Sequence, residues 1–500
     1  MNTSPSRRRF LQQLGLFAGA MAASPFAASM AFGNNGHVTP ASLGQGDLYV
    51  PKNPTEGPMS TWPSRPTGSK YMGGFCAKPI ENVRIAFIGM GKRNRTHLPL
   101  VLNIPNCEVV AICDVYEDLA KNGCERVTKE TGKACAAYYG STEAYIDMMK
   151  EVKPDAVIVA PSWEWHAKCT CDAMKYGAHT LVEVPMAVSI KELWDMVDHS
   201  EKYGVHCMQL ENCNYGQEEM MYLNIVRQGL IGELLHGEAA YIHELRSEMH
   251  EEKRGTGSWR TYHYAQRNGN LYTTHGLGPV AQYMNLCRGE DTFARISSFG
   301  SPALGRAKYA KENWPADHKW NKLKYECGDI NTSIIKTHLG RTIMLQWDET
   351  SPRPYSRLNL IQGTTGTLAG YPNRIAGENF GPKTMEIGNN GQKVANYHRW
   401  IEGAEYKELA EQYKHPLWDR IGKKALEMGG HGGMDYVMLY RAIECLHKGE
   451  AMDQNIYEGV TWCAASELSE KSVAQGGMPQ LFPDFTRGEW KNTAPLGIIK

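Results

Sequence analysis

The sequence predicts an α/β protein: an N-terminal Rossmann dinucleotide-binding domain followed by an α+β domain with a mostly antiparallel open sheet. Three observations carry that expectation. Val83 to Asp114 reads strand, glycine turn, helix, strand, acid. From Val83 to Asn212, short apolar runs alternate with helical segments, and most runs end in a polar cluster. Beyond Tyr215 the strands lengthen and alternate apolar with polar residues, as in a sheet with two unlike faces.

The first strand, Val83 to Ile88, has the β-branched content of a buried parallel strand. Gly89 permits the tight turn, and Gly91 lets the backbone approach a pyrophosphate at the following helix N-terminus. The third glycine position is Asn94, and Lys92, Arg93 and Arg95 crowd the turn as candidate phosphate contacts. Asp114 lies 25 residues after Gly89, where a carboxylate accepts hydrogen bonds from ribose hydroxyls and repels a 2′-phosphate. NAD is therefore expected rather than its phosphorylated form.

The chain then predicts helices over 116–130 and 142–151 and strands over 156–160 and 180–182. A helix over 189–203 and a strand over 206–210 follow. The strand ends carry Trp163-Glu164-Trp165-His166, Glu183-Val184-Pro185 and Glu211-Asn212, at the edge where open α/β sheets bind ligands. In the second part a helix is expected over 218–228, with strands over 234–245, 293–299, 331–338, 342–347 and 358–362. Beyond Gly370 only 436–446 and 460–472 read as helices.

The organisation expected is residues 1–31 signal peptide, 32–80 extended arm, 81–212 nucleotide domain and 213–500 substrate domain with C-terminal helices. Ser6-Arg7-Arg8-Arg9-Phe10-Leu11 fits the twin-arginine export pattern, and Ser29-Met30-Ala31 fits a cleavage site. The protein is thus expected to use the twin-arginine machinery and to work in the periplasm or at the cell surface. That route exports folded proteins, so a cofactor acquired inside the cell travels out and must regenerate within each turnover. The intervening apolar run is too short and too rich in small residues for a secure membrane span.

Lysine plus arginine equals aspartate plus glutamate at 54 each, so no basic excess points to nucleic acid or an anionic membrane. The 13 cysteines form no C-x-x-C pairs; folding in a reducing compartment argues against a disulfide framework, and most read as small core residues. His243, His250 and His263 have no zinc spacing, so no metal is expected.

A nucleotide domain with strand-end motifs before an antiparallel α+β domain resembles the Gfo/Idh/MocA family. That family usually carries Glu-Lys-Pro where this chain has Glu183-Val184-Pro185, and its lysine assists hydride transfer. Other local motifs are similar to one branch, glycoside hydrolase family 109, the NAD-dependent α-N-acetylgalactosaminidases. They include Trp163 to His166, Gly232 to Gly237, Trp259-Arg260-Thr261, Arg267 to Pro279 and Arg353-Pro354-Tyr355. Where members often have Tyr-Pro-Thr-His, this chain has Tyr272-Thr273-Thr274-His275.

By that resemblance Lys92, Arg93, Asp114, Trp163, Glu164, Trp165, His166, Glu183, Val184, Asn212 and Tyr272 would contact NAD. Tyr241, Arg260, Tyr272, Thr273, Thr274, His275 and Tyr355 would contact the sugar. The implied route oxidises C3 of the sugar, eliminates the aglycone across C1–C2, adds water and returns the hydride. It needs proton carriers instead of the carboxylate pair of ordinary glycosidases. His275 and Tyr355, assisted by Tyr241, are the expected proton-transfer groups, a tyrosine serving where nearby cations lower its pKa. The alternative is a sugar oxidoreductase of the wider family. The long arm and the second sheet also suggest a homo-oligomer.

Overall fold

The computed structural model describes residues 62–381, 384–387 and 390–499. The expected signal peptide and the arm up to residue 61 lie outside the described residues. The first sheet is built from β1 (Val83–Ile88), α1 (Lys92–Val101), β2 (Cys107–Cys113), α2 (Glu117–Thr131), β3 (Ala136–Tyr138), α3 (Ala144–Val152), β4 (Ala156–Val159), α4 (Trp163–Lys175), β5 (His179–Val182), α5 (Ile190–Tyr203) and β6 (Cys207–Gln209). Its order is β3-β2-β1-β4-β5-β6, every pairing parallel, which is half of a doubly wound sheet on each side of β1.

Strand parity shows why β1 is apolar at every position but Arg84. Val83, Ile85 and Phe87 enter one core, while Ala86 and Ile88 enter the core on the opposite face. Both faces are covered; Arg84, near the strand's start, reaches the rim, where its guanidinium donates to Val152 O and Lys153 O at 2.9 Å each. Ser189 caps α5 by accepting from Glu192 N, as its sequence position predicts.

The second part contains α6 (Gln217–Arg227), β7 (Leu234–Ile242), α7 (Arg260–Gln266), α8 (Thr274–Tyr283), β8 (Phe293–Gly300), α9 (Gly305–Asn313), β9 (Ile330–Thr337), β10 (Thr342–Asp348), β11 (Leu360–Gly363), β12 (Gly366–Ala369) and β13 (Arg374–Gly377). A two-stranded ribbon, β14 (Thr384–Ile387) with β15 (Lys393–Asn396), follows. Then come α10 (Gly403–Gln412), α11 (Pro416–Met428), α12 (Met434–Lys448), α13 (Ile456–Ala474) and β16 (Gln480–Leu481). The large sheet runs β13-β12-β11-β7-β10-β9-β8-β16. It is antiparallel except for β7 and β10, which run parallel and align Tyr241 with Trp347 near their C-terminal ends. Its two faces differ as the alternation requires: Ile335 is buried while its neighbour Ile334 is exposed.

The change at residues 212/213 separates the sheets but not the cores. Tyr436, Val437 and Leu439 of α12 pack with Ile85 and Phe87 of β1. Helix α13 serves both halves, with Tyr457 and Val460 in the nucleotide-side core and Trp462 and Leu468 in the other. The described part of the arm joins this arrangement. Arg65 Nε meets Glu201 at 2.8 Å, Met72 N donates to the Tyr457 hydroxyl at 2.9 Å, and Ile80 N donates to Leu446 O at 3.1 Å. No helix among the described residues is long and apolar enough to cross a membrane.

A pH effect on stability follows from two buried rings at one end of the nucleotide sheet. His179 and His206 stand 5.2 Å apart, and His179 Nδ1 accepts from His206 N. Burial lowers their pKa values from 6.5 to about 4 and about 3. Both rings are neutral when folded, so below pH 6.5 the unfolded chain binds protons that the folded chain refuses. Stability is then lost as pH falls from 6.5 towards 4, by roughly 2 kcal/mol per ring at pH 5. Melting curves from pH 7.5 to 5 test this, with His206→Gln flattening the dependence; a wild-type melting temperature constant over that window would refute it.

Candidate active site

The nucleotide side is organised by the glycine turn. Asn94, fully buried, donates from Nδ2 to Gly89 O at 2.6 Å, which explains an asparagine at the third glycine position: its amide holds the turn that a closer helix approach would otherwise fix. Asp114 stands at the end of β2. Its Oδ2 accepts from Met90 N at 2.6 Å and its Oδ1 from Tyr116 N at 2.9 Å. Each oxygen keeps a lone pair for a ribose hydroxyl. Turn, helix N-terminus and carboxylate together fit a dinucleotide. Across the turn lies a loop of the substrate-side half. Lys92 N donates to Gly255 O at 2.7 Å, Lys92 Nζ pairs with Glu251, and Arg254 pairs with Asp118 and lies 4.6 Å over the Tyr116 ring.

Behind the turn is a buried ionic network. Arg93 Nε donates to Glu183 at 2.7 Å, and its two terminal nitrogens grip Asp435 at 3.0 Å each. Glu183 also meets His97 Nε2 at 2.7 Å, and Asp435 accepts from Asn212 Nδ2 at 2.6 Å. Burial pushes both carboxyl pKa values up, but Arg93, with His97 or His431, holds them below the usual carboxylate range. The Arg93 guanidinium is therefore an internal clamp rather than a free phosphate ligand. Val184 occupies the position of the family's lysine and packs with Trp163, Tyr241 and Tyr272.

The substrate side is an aromatic cluster. Tyr241 stacks on Tyr272 at 5.0 Å, stands edge-on to His275 at 4.9 Å, and shares a 2.8 Å hydrogen bond with His243 Nδ1. Gly276 makes this possible: a Cβ there would lie 2.3 Å from Ala240 N, so only glycine lets α8 rest on β7 and bring His275 beside Tyr241. His275 Nδ1 is held at 2.7 Å by Glu211, whose side chain is fully buried. Arg260 lies within 6 Å of the Trp163, Trp259 and Tyr272 rings and pairs with Glu248 at 3.2 Å. Tyr355, 39% exposed, stands 4.9 Å from His243 and accepts from Arg357 at 2.8 Å.

The sequence-predicted residues divide. Tyr241, Arg260, Tyr272, His275 and Tyr355 converge, with Trp163 and Val184 against them. Thr273 does not join them: its hydroxyl donates to Trp462 O at 2.7 Å, into the core. Thr274 opens α8 beside Glu211. His166 braces two strand ends, its ring nitrogens facing Pro185 O at 2.7 Å and Pro161 O at 3.2 Å. Glu164 pairs with His263 at 2.9 Å, and Trp165 packs against the nucleotide-side core. The tyrosine expectation needs correction. Burial pushes Tyr241 and Tyr355 well up, outweighing Arg260 and Arg357, so at neutral pH both stay protonated donors rather than bases.

Sequence reasoning missed His243, Glu211 as the holder of His275, and above all His431 with Asp435. Gly429-Gly430-His431-Gly432-Gly433 takes five successive left-handed conformations, φ 73°, 76°, 48°, 70° and 95°. Only His431 among them carries a side chain, in a conformation that disfavours one by about 1 kcal/mol. Asp435, from the first turn of α12, holds its Nδ1 at 2.8 Å while the side chain stays 60% exposed. His243 is lowered by burial and further by the charges of His275 and His431. A histidine flanked by four glycines was the available signal.

Residues 215–492 match the model of the glycosyl hydrolase 109 C-terminal domain, and residues 83–210 match that of the oxidoreductase family NAD-binding Rossmann fold. The chain is 62% identical to glycosyl hydrolase family 109 protein 1 of Akkermansia muciniphila over the whole of both chains. It is 49% identical to an alpha-N-acetylgalactosaminidase of Shewanella oneidensis, across 87% of this chain and 92% of that one. An NAD binding oxidoreductase from Klebsiella pneumoniae shares the fold at 15% identity, with a TM-score of 0.59 over 80% of this chain and 99% of that one.

Proposed function

The chain belongs to glycosyl hydrolase family 109 and is an NAD-dependent glycoside hydrolase, and from that premise we propose that it removes terminal α-linked N-acetylgalactosamine by a cycle without net oxidation. The relative from Shewanella oneidensis carries that activity in its name. One observation supports the unusual chemistry most. The carboxylates around the cleft are already engaged: Glu183 with Arg93 and His97, Glu211 with His275, Glu248 with Arg260, Asp435 with Arg93 and His431. Direct hydrolysis needs two carboxyls facing the sugar. Here two histidines, each backed by a buried carboxylate, take their place.

Bound NAD supplies reversible hydride exchange with C3 of the sugar. His275, fixed through Nδ1 by Glu211, moves protons at the ring through Nε2. Tyr241 and Tyr272 form an aromatic wall, and the Tyr241 hydroxyl, tied to His243, orients sugar hydroxyls. Arg260, half-buried among rings, steadies negative charge that develops when the C2 proton leaves. His431, on its exposed glycine loop, protonates the departing aglycone oxygen and later takes a proton from water. Asp435 keeps that ring oriented.

The test uses purified protein without added NAD, an aryl α-N-acetylgalactosaminide and D₂O. Phenol release with deuterium at C2 and no lasting reduced nicotinamide is expected. Reduced nicotinamide accumulating with free sugars would make the protein a sugar dehydrogenase instead. His431→Ala should lower the rate about a hundredfold on alkyl glycosides and much less on aryl glycosides whose phenol leaves unaided. Equal losses on both would remove His431 from the leaving-group step.

The reading includes twin-arginine export, which Ser6-Arg7-Arg8-Arg9-Phe10-Leu11 supports. A reaction that returns its hydride needs no outside pool of NAD. Fractionation of cells producing the full chain, with an Arg7→Lys/Arg8→Lys variant retained inside, tests it.

A further inference from the structure

Two thiols stand together at the edge of the nucleotide sheet. Cys124 Sγ, on α2, lies 2.8 Å from Cys135 Sγ, just before β3. Gly132, with φ 72°, ends α2 and turns the chain back to make the pair. No other two thiols among the described residues are hydrogen-bonded to each other. Cys113, Cys169, Cys207 and Cys463 are buried and pushed up to about 12, which keeps them inert. Cys124 and Cys135 differ: their shared S–H···S hydrogen bond lets the thiol of one steady a thiolate on the other. An open surface depression of about 490 Å³, lined by Lys121, Glu125, Lys129 and both cysteines, lies beside them.

We propose that Cys124 and Cys135 are a modification site, a dithiol that closes to a disulfide when the folded protein meets a disulfide donor. The sulfurs need approach by less than about 1 Å to reach bonding distance, a shift within reach of two side-chain rotations. The donor is a small-molecule or protein disulfide. The Cys124 thiolate attacks one donor sulfur; the donor bond breaks and releases one thiolate. Cys135 then gives up its proton, and its sulfur displaces the second donor thiol from Cys124. Two protein thiols are oxidised, and one donor disulfide is reduced to two thiols that take up both protons.

The staple falls where it matters to the nucleotide domain. Strand β3 is the sheet's edge, and its Tyr138 O accepts from Asp114 N at 3.1 Å. Helix α2 begins three residues beyond that acid. The bond would pin both elements that flank the ribose carboxylate. In a cell the dithiol would persist in the cytoplasm and close after export. That setting rests on the export proposed above, whereas bond formation does not.

The experiment treats reduced, folded protein with oxidised glutathione. Intact mass, thiol titration and peptide mapping then follow the cysteines. The expected result is loss of two thiols and two hydrogen masses, a Cys124–Cys135 peptide pair, and a melting temperature raised by several degrees over the reduced form. A Cys124→Ser/Cys135→Ser variant should melt identically with and without oxidant. Both cysteines remaining alkylatable after oxidation, a persistent glutathione adduct, or a bond mapped to other cysteines would overturn the proposal. These readouts on the wild-type protein hold even if the variant folds poorly.

Discussion

His275→Ala is expected to lower kcat about a thousandfold while the purified protein still carries its NAD. The ring sits in the first turn of α8, against Tyr241 and Tyr272, and loses no backbone support on truncation. Glu211 would be left buried with the Cys213 N–H and without its strongest partner. Its proton affinity should then rise, since burial already opposes its charge. Glu211→Gln separates the two roles. It keeps the shape but removes the charge that orients the ring. A smaller loss in kcat than for His275→Ala is expected, because the ring stays in place without its charged partner. Near wild-type turnover by His275→Ala would remove it from the chemistry.

Arg93→Ala is expected to destabilise the fold by about 3–5 kcal/mol, the range for breaking a buried ion pair from one side. The guanidinium spans two carboxylates from different parts of the chain, Glu183 after β5 and Asp435 on α12. Removing it leaves two buried negative charges facing one gap, with His97 and His431 as their remaining basic partners. Arg93→Lys should recover only part of the loss, because an ammonium cannot make the forked contact to Asp435 while holding Glu183. Urea denaturation measures both. A free phosphate ligand would behave in the opposite way, since its removal weakens nucleotide binding and leaves the apoprotein's stability unchanged.

Arg93 also shows what the sequence could and could not disclose. An arginine beside a glycine turn reads as a phosphate contact because local rules see only neighbours. Its true partner, Asp435, lies 342 residues away. The nucleotide domain was legible because each strand, turn and helix is local, and because parallel sheets place their loops at one edge. Tyr241, Arg260, His275 and Tyr355 were legible only through family likeness, and their convergence depends on β7, α7, α8 and the segment after β10. His431 was hidden for a different reason. The stretch after Gly370 has no strong periodicity, and the packing of α12 and α13 back onto the nucleotide core is a tertiary fact. For Tyr241 the pKa expectation failed because cations nearby are visible in sequence, whereas burial is not.

The loop from Glu251 to Ser258 changes what ownership of the cofactor means. It comes from the substrate-side half, yet Gly255 takes the first amide of α1, and Arg254 covers Tyr116 next to the ribose acid. A nucleotide held at the glycine turn would thus lie beside a loop of the other half. Under the export reading each molecule leaves the cell with a single endowment of NAD and no supplier afterwards. Its working life is then set by how long that strap stays fastened, and the molecule ages by leakage as well as by unfolding.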